Sequence, residues 1–431
     1  MRENLLFALA LTGLITGCTS DKGKSDLALK PLADARKPMN VVFILSDDHR
    51  YDYMGFMGTI PWLETPSMDR MAREGAHIKN AFVTTSLSSP SRASILTGMY
   101  SHEHTVVDNT APLPEGLTFF PQYLQAAGYR TAFFGKWHMG NDSGAPQPGF
   151  DHWEGFKGQG EYYNPRINTN GEWIQYKDST YVTDLLTDHA LKFIDERRQE
   201  GKPFFVYLSH KGVHGPFEAA KRHKDCYKDK ELVLPATIDE PKYGLTNPPT
   251  IDSKTGKAAH GKDFYGEEMK PNWVKHQRES WHGVDYSYHG RPWKDQVRKS
   301  ILACAGLDKA EQMVGYSFLP LLEGQDIPWR DRIFYEYYWE HEFPQTPTMH
   351  GVRTDRYKYI RYHGVWDTNE FYDLANDPDE CHNLIASPEH QETIKQLNHE
   401  LYDWLESTDG MRIPLKRTER PHTDHRNQGY Y

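Results

Sequence analysis

Two short, nearly continuous apolar runs stand out in the first half of the chain. Residues 39–45 read Met-Asn-Val-Val-Phe-Ile-Leu, and residues 203–208 read Pro-Phe-Phe-Val-Tyr-Leu. Polar or charged residues bound both runs, and a run of this length without alternation is typical of a strand buried on both faces of a mainly parallel sheet. We predict such strands at these two places, and further strands over residues 77–85 and 129–134.

Amphipathic segments lie between these runs. The clearest is a helix over residues 179–198, whose apolar side chains form one stripe: Val182, Leu185, Leu186, Ala190, Phe193 and Ile194. Shorter helices are predicted over residues 66–74 and 121–127, each closed by a glycine. Strands that alternate with helices indicate an α/β domain with a parallel sheet, which places ligands at the carboxyl ends of its strands.

The pattern changes after Arg330, and the chain of 431 residues is long enough for a second, smaller unit there. Residues 333–339 form an aromatic-rich run that predicts a strand, and residues 351–360 predict a hairpin that turns at positions 355–356. A final helix is predicted over residues 388–405.

Charge and cysteine usage exclude several classes of function. The formal net charge of −10 argues against a nucleic-acid partner, so an anionic substrate needs a local basic cluster. Beyond Cys18 the chain has three widely spaced cysteines, Cys226, Cys304 and Cys381. This odd set predicts neither a disulfide framework nor a zinc site.

The N-terminus carries an export signal. A short charged start precedes an apolar run over residues 5–15, which is too short to span a membrane permanently. Residues 14–18 read Leu-Ile-Thr-Gly-Cys and resemble a bacterial lipobox, which implies cleavage before Cys18 and lipidation of its thiol. A plain secretory signal is the alternative. We expect an exported bacterial lipoprotein, facing the periplasm or the cell surface, with residues 19–37 as a flexible tether.

The first candidate site is a serine near a helix N-terminus. Pro90 is pre-organised for the first turn of a helix, which places Ser88 just before it, where unpaired N–H groups and the helix dipole favour an anion. Arg92 is four residues further and can reach back one turn. These residues predict a nucleophile beside an anion site, although a serine-rich helix cap with a solvated arginine is the alternative.

Polar residues also follow the predicted strands. Asp47 and Asp48 come after the first strand and could hold a hard divalent cation, since calcium takes several oxygen ligands; a solvated turn is the alternative. Residues 135–140 read Gly-Lys-Trp-His-Met-Gly, and Lys136 and His138 would point the same way on an extended backbone.

Three of these motifs together resemble the type I sulfatases. Residues 88–92, Ser-Ser-Pro-Ser-Arg, followed by Thr-Gly at 97–98, resemble the family signature in which a Cys or Ser becomes formylglycine. The Asp-Asp pair and the Gly-Lys-Trp-His-x-Gly run resemble two further motifs, and His214 with Pro216 matches another. The resemblance implies that Ser88 is the modified residue, and that the partner which modifies it is the radical, oxygen-independent Ser-type maturase.

The resemblance implies a fold and a division of the chain. The expected fold is α/β and alkaline-phosphatase-like, with a mixed, mostly parallel sheet flanked by helices and a smaller C-terminal α+β subdomain made of a short antiparallel sheet and a helix. The expected parts are a lipoprotein signal peptide at 1–18, the tether at 19–37, a catalytic domain at 38–325 and the C-terminal subdomain at 326–431.

The resemblance also implies hydrolysis of the sulfate ester of a sugar. The implied roles are calcium binding by Asp47, Asp48 and the formylglycine made from Ser88, charge stabilisation by Arg92 and Lys136, protonation of the leaving alcohol by His214, and help in sulfate release by His138. His210 is expected to be a neighbour without a catalytic role. His350 is a candidate substrate contact, with a packed loop histidine as the alternative.

The resemblance breaks after residue 299. There the family continues with a helix, a strand that brings an Asp-Asn or Asp-His pair to calcium, and a lysine that faces sulfate, whereas residues 300–307 at once match a later helix of the family. We interpret this as an internal deletion, either in the gene or in the way the sequence was assembled, and expect the chain as written to fold poorly and to hydrolyse no sulfate ester at a useful rate. The alternatives are a degenerate lipoprotein that only binds anionic glycans and a phosphoester or phosphonate hydrolase.

Overall fold

The structure, a computed structural model, describes most of the chain. The described residues are 27–31, 37–140, 144–231, 233, 307–340, 346–363 and 368–412. The expected lipobox and the junction near residue 299 lie outside these ranges, as does most of the expected tether. Within the described ranges, no helix is long and apolar enough to cross a membrane.

The larger of two sheets has six strands. They are β1 Val41–Leu45, β2 Arg130–Lys136, β3 His152–Phe156, β4 Arg166–Thr169, β5 Glu172–Gln175 and β6 Phe204–Ser209. Their order is β1-β6-β2-β3-β4-β5, in which the first four are parallel and the last two join as antiparallel strands. The mixed, mostly parallel sheet of the sequence prediction is therefore confirmed.

Helices cover both faces of this sheet. The helices of this part of the chain are α1 Pro66–Glu74, α2 Ser88–Thr97, α3 Ser101–His104, α4 Phe120–Ala126 and α5 Val182–Gln199, of which α2, α4 and α5 pack on the sheet. On one face, α2 and α4 pack on Phe133, Phe205 and Tyr207. On the other face, the predicted apolar stripe of α5 packs on Phe134 and Val206. Because β6 lies between β1 and β2, all six of its residues are buried, as its continuous apolar run predicts.

Strand β1 departs from its prediction. It forms where expected, but it pairs with β6 on one side and is an edge strand of the described sheet. Val41, Phe43 and Leu45 pack into the core that contains α2 and α4. Val42 and Ile44 point to the other face, where α5 packs on β2 and β6, and they remain 46% and 49% exposed. The prediction of burial on both faces is therefore wrong for β1.

The predictions for the segments between these elements were partly wrong. Residues 77–85 form no strand; Ala81 and Val83 are buried as side chains of an irregular segment, so their apolar character reflects packing and not a ladder. Strands β3, β4 and β5 were not predicted. The β4–β5 hairpin had a signal, because its two-residue turn is Asn170-Gly171, with φ of 51° and 102°, and Asn-Gly favours such turns.

The second sheet forms the C-terminal unit. Its strands are β7 Arg332–Tyr337, β8 Met349–Thr354, β9 Tyr357–Tyr362 and β10 Glu370–Asp373, all antiparallel in the order β10-β9-β8-β7. The short helix α6, Leu319–Leu322, precedes it, and α7, Gln391–Ser407, packs on it through Ile394, Leu397 and Leu401. The predicted hairpin at positions 355–356 and the short antiparallel sheet with its helix are confirmed.

Candidate active site

Ser88 is the first residue of α2. The helix begins two residues earlier than Pro90 predicts, with Leu87 as its N-cap, and Ser88 is half-buried while the rest of the helix is buried. Ser89 anchors this end, because its N–H donates to Asn109 Oδ1 at 3.0 Å and its hydroxyl donates to the carbonyl of His138. The helix N-terminus is therefore held against the loop that follows β2.

Arg92 ties α2 to three strand ends. Its side chain is buried, and Nη1 donates to the Lys136 carbonyl and to Ser209 Oγ, both at 2.7 Å. Its Nη2 lies 3.3 Å from Asp47 Oδ1. Since these partners follow or end β1, β2 and β6, the arginine that the sequence placed one turn from Ser88 also organises the carboxyl edge of the sheet.

Lys136 and Asp47 form a buried ion pair beside Arg92. Lys136, the last residue of β2, donates from Nζ to Asp47 Oδ2 and to the side-chain oxygen of Gln159. Burial alone would raise the pKa of Asp47, but Arg92 and Lys136 outweigh it and hold that pKa well below its usual value. Burial and Arg92 lower the pKa of Lys136 to about 8, although Asp47 acts in the opposite direction.

His138 reaches this cluster by a route that the sequence did not predict. Its φ is 52°, so the backbone leaves the strand, and the expectation that Lys136 and His138 share an extended backbone is wrong. Instead, Gln159 joins them, since its side-chain nitrogen lies 3.5 Å from His138 Nε2 and its oxygen accepts from Lys136. Burial, Lys136 and Arg92 lower the pKa of His138 well below its usual value, which favours a neutral ring.

His214 lies in the loop after β6 and is closer to solvent. Its Nε2 is 3.6 Å from Asp48 Oδ2, and Nδ1 is 3.0 Å from the Gly215 carbonyl. The Asp48 side chain is 61% exposed, in contrast to the buried Asp47. The structure therefore places Ser88, Arg92, Lys136, His138 and His214 on elements that meet at the carboxyl edge of the sheet.

Of the other two histidines singled out by the sequence, His350 is buried and His210 is half-buried. His210 donates from its backbone N–H to the Leu45 carbonyl at 2.9 Å, and burial lowers its pKa to about 4. His350 belongs to β8; its Nδ1 lies 2.7 Å from His363 Nε2, and burial together with His363 lowers its pKa to about 3. His350 thus has partners within the C-terminal unit, and a role in substrate binding stays a prediction.

The described residues do not complete a calcium site. Calcium takes about six to eight oxygen ligands, and Asp47, Asp48 and Ser88 supply two carboxylates and a hydroxyl. The Asp47 carboxylate is already engaged by Lys136 and Arg92. Within the described ranges, no group of three or more His, Cys, Asp or Glu residues has the geometry of a metal site. These three residues are therefore too few to hold calcium by themselves.

Four residues of the site were not singled out by the sequence: Asn109, Gln159, Ser209 and Lys211. Asn109 and Gln159 lie in loops far from any motif, and Lys211 was one polar residue among several after β6. Ser209 and Gln159 do follow the rule that ligands bind beyond the carboxyl ends of parallel strands, because one ends β6 and the other follows β3.

The fold defines an α/β protein of the alkaline-phosphatase-like class, in which Arg92 of α2 and Lys136 surround Asp47 at the carboxyl edge of the sheet. Residues 39–243 match the family model described as Sulfatase, and residues 293–407 match the one described as N-sulphoglucosamine sulphohydrolase, C-terminal. The chain belongs to the sulfatase family.

Two relatives and one solved structure are similar to this chain. An N-acetylglucosamine-6-O-sulfatase of Bacteroides thetaiotaomicron is 36% identical over 245 residues, which are 56% of this chain and 41% of that protein. The N-acetylglucosamine-6-sulfatase of Capra hircus is 25% identical over 494 residues, 90% of this chain and 86% of that protein. A solved structure with its substrate, D-glucosamine-2-N,6-O-disulfate, matches with a TM-score of 0.70 and 24% identity, over 88% of this chain and 100% of that chain, and shows the same fold.

The match to the bacterial relative is partial, since the chain spans less than half of that protein's length. The alignment with the Capra hircus protein is 494 positions long, although this chain has only 431 residues. Within the aligned region, that relative therefore has residues with no counterpart in this chain.

Proposed function

We propose that this chain is a sulfuric ester hydrolase that removes sulfate from a sulfated sugar containing glucosamine. The observation that carries the proposal is the position of Ser88 at the start of α2, beside a cluster in which Arg92, Lys136 and Asp47 are all buried. The names of the two N-acetylglucosamine sulfatases and the substrate of the solved structure support the glucosamine class.

The nucleophile in this proposal is the formylglycine made from Ser88. Its hydrated aldehyde supplies a hydroxyl that attacks sulfur, while the bond from sulfur to the sugar oxygen breaks. Arg92 and Lys136 place two positive charges behind the helix N-terminus, which favours the negative charge of the transferring group.

Two histidines move protons in the proposed reaction. His214 is partly exposed and donates a proton to the leaving sugar oxygen, which would otherwise depart as an unstable alkoxide. His138 is buried next to Lys136 and Arg92, so its ring is neutral and can accept the proton of the second hydrate hydroxyl when sulfate is released.

Calcium is part of the proposal as an ion held by Asp47 and Asp48, with its remaining ligands from outside the described residues. We also propose that the chain has lost an internal segment near residue 299. The relative with aligned residues that this chain lacks supports such a loss. The genomic DNA around codon 300 tests it directly, because a frameshift or a lost in-frame segment would be visible there.

For its localisation, we propose that the protein is an exported lipoprotein anchored through Cys18. The support is the sequence of residues 5–18, in which an apolar run leads into a lipobox-like end. The same argument makes the substrate an extracellular or periplasmic glycan.

Co-production with a Ser-type formylglycine maturase tests the function. Against the expectation that the internal deletion abolishes useful turnover, this proposal requires the purified chain to release sulfate from glucosamine-6-sulfate with calcium present, and Ser88→Ala should abolish the release. Faster release of phosphate from 4-nitrophenyl phosphate would favour a phosphoester hydrolase. Binding of heparan-type glycans without any release, from protein that carries formylglycine, would favour the degenerate lipoprotein.

A further inference from the structure

Lys211 is a buried lysine whose ammonium group bridges two loops of the site. The side chain is 2% exposed, and Nζ donates to the carbonyls of Gln159 and Gly215, both at 3.1 Å. The same Nζ lies 4.9 Å from the centre of the Tyr162 ring. A buried ammonium is costly unless it is well solvated by the protein, and here two carbonyl dipoles and an aromatic face provide that solvation.

The two carbonyls belong to the segments that carry the site. Gln159 contacts Lys136 and His138 through its side chain, so Lys211 holds the residue that joins them. Gly215 directly follows His214, and its carbonyl, which accepts from Lys211, also lies 3.0 Å from His214 Nδ1.

Tyr162 contacts both Lys211 and the His214 loop. Its hydroxyl donates to the His214 carbonyl at 2.6 Å, while its ring faces Lys211. The peptide groups of His214 and Gly215 are therefore each held by one of these side chains. With Nδ1 directed to the Gly215 carbonyl, the Nε2 atom of His214 is the one left facing Asp48 and the open side of the site.

We propose that Lys211 is a positioning residue that holds His214 for proton donation to the leaving alcohol. This proposal rests on the proposed function, because it takes His214 as the proton donor. The proposal predicts that the effect of Lys211 depends on the acidity of the leaving alcohol. A sugar hydroxyl is a much weaker acid than 4-nitrophenol, so the sugar ester depends on the proton donor and the nitrophenyl ester does not.

The test compares Lys211→Met, Lys211→Arg and Lys221→Met, each with its formylglycine content measured by mass spectrometry. Lys221 is a matched control, since it is exposed, lies 5.9 Å from the Tyr163 ring and donates to Ser179 Oγ at 2.9 Å. We expect Lys211→Met to lower kcat on glucosamine-6-sulfate by at least about tenfold and on 4-nitrophenyl sulfate by less than about threefold. Lys211→Arg should recover much of the loss, and Lys221→Met should match the wild type.

Equal losses on the two esters, or no loss, would overturn the proposal. Where Lys211→Met does not fold, Tyr162→Phe serves instead. This change removes the hydroxyl that donates to the His214 carbonyl, and it should show the same ester selectivity. Hydrogen exchange of residues 213–217 separates this proposal from the proposed function. If the wild type hydrolyses neither ester, the proposed function fails, and exchange that is the same in Lys211→Met and Lys221→Met would overturn the positioning role as well.

Discussion

His102 Nδ1 lies 2.6 Å from Glu336 Oε2, and this buried pair joins the helix that follows α2 to the first strand of the C-terminal sheet. The His102 N–H donates to the other carboxylate oxygen at 3.1 Å, and the Tyr338 hydroxyl donates to Oε2 at 2.9 Å. The backbone N–H of Glu336 also donates to the Thr84 carbonyl at 2.9 Å, just before the Ser88 turn. The C-terminal unit is thus bonded both to α3 and to the segment that leads into Ser88.

This pair predicts a pH-dependent contribution to stability. Burial lowers the pKa of His102, but the bond to Glu336 outweighs it and the net shift is upward from 6.5. A raised pKa means that the contribution is complete below pH 6.5 and is lost as pH rises through the folded-state value. The difference in unfolding free energy between wild type and His102→Gln, measured in urea, should therefore shrink from pH 5.5 to pH 8.5. The exposed His399→Gln is the control, and a difference that grows with pH would contradict the assignment.

Asp47 is predicted to be essential for the stability of the site. Asp47→Asn leaves Arg92 and Lys136 buried without their counter-charge, which should cost about 3–5 kcal/mol of unfolding free energy. Asp48→Asn is the matched control, because that side chain is mostly exposed and should change stability by about 0.5 kcal/mol or less. Urea unfolding in calcium-free buffer measures both, and recovery in Asp47→Asn/Lys136→Met would show that the unpaired cation is the cause.

Ser88 is predicted to carry formylglycine when a Ser-type maturase is present. Mass spectrometry of the peptide should show the loss of two hydrogens relative to serine. Pro90→Ala and Arg92→Ala should lower the modified fraction, because the maturase reads those positions in the implied motif. Ser88→Ala gives the unmodified reference mass. A serine that stays unmodified beside an active maturase would argue against the assignment.

The exposed face of β1 is predicted to promote aggregation. Val42 and Ile44 lie on an edge strand of the described sheet, and apolar edge strands invite association. The Val42→Lys/Ile44→Lys double variant should stay monodisperse at higher concentration in light scattering, with its unfolding free energy little changed. Val41→Lys, which places a charge against the core, should instead destabilise the fold. Equal effects from the two variants would show that both faces of β1 are covered in solution.

Cys18 is predicted to be the lipidated N-terminus. The wild-type protein, expressed in a Gram-negative host, should sediment with membranes, and Cys18→Ala should move to the soluble fraction. Cys226→Ala is a suitable control, since that thiol is exposed but lies far along the chain. A wild-type protein that is already soluble would leave a plain secretory signal.

Much of the local structure followed from the sequence. The apolar stripe of α5 and the continuous run of β6 determined their own burial, because a helix and a parallel strand each present a fixed periodicity to the core. Ser88 and Arg92 are one helical turn apart, so their proximity was also local. The hairpin at positions 355–356 likewise needed only neighbouring residues.

The tertiary structure decided the contacts between distant segments. Lys136 meets Asp47 across 89 positions of the chain, and His102 meets Glu336 across 234. Gln159 and Lys211 became part of the site because the loops after β3 and β6 converge at one edge of the sheet. The periodicity of the sequence does not predict these contacts, because they depend on the order of the strands. The strand order also leaves Val42 and Ile44 exposed, although their apolar run predicts burial on both faces.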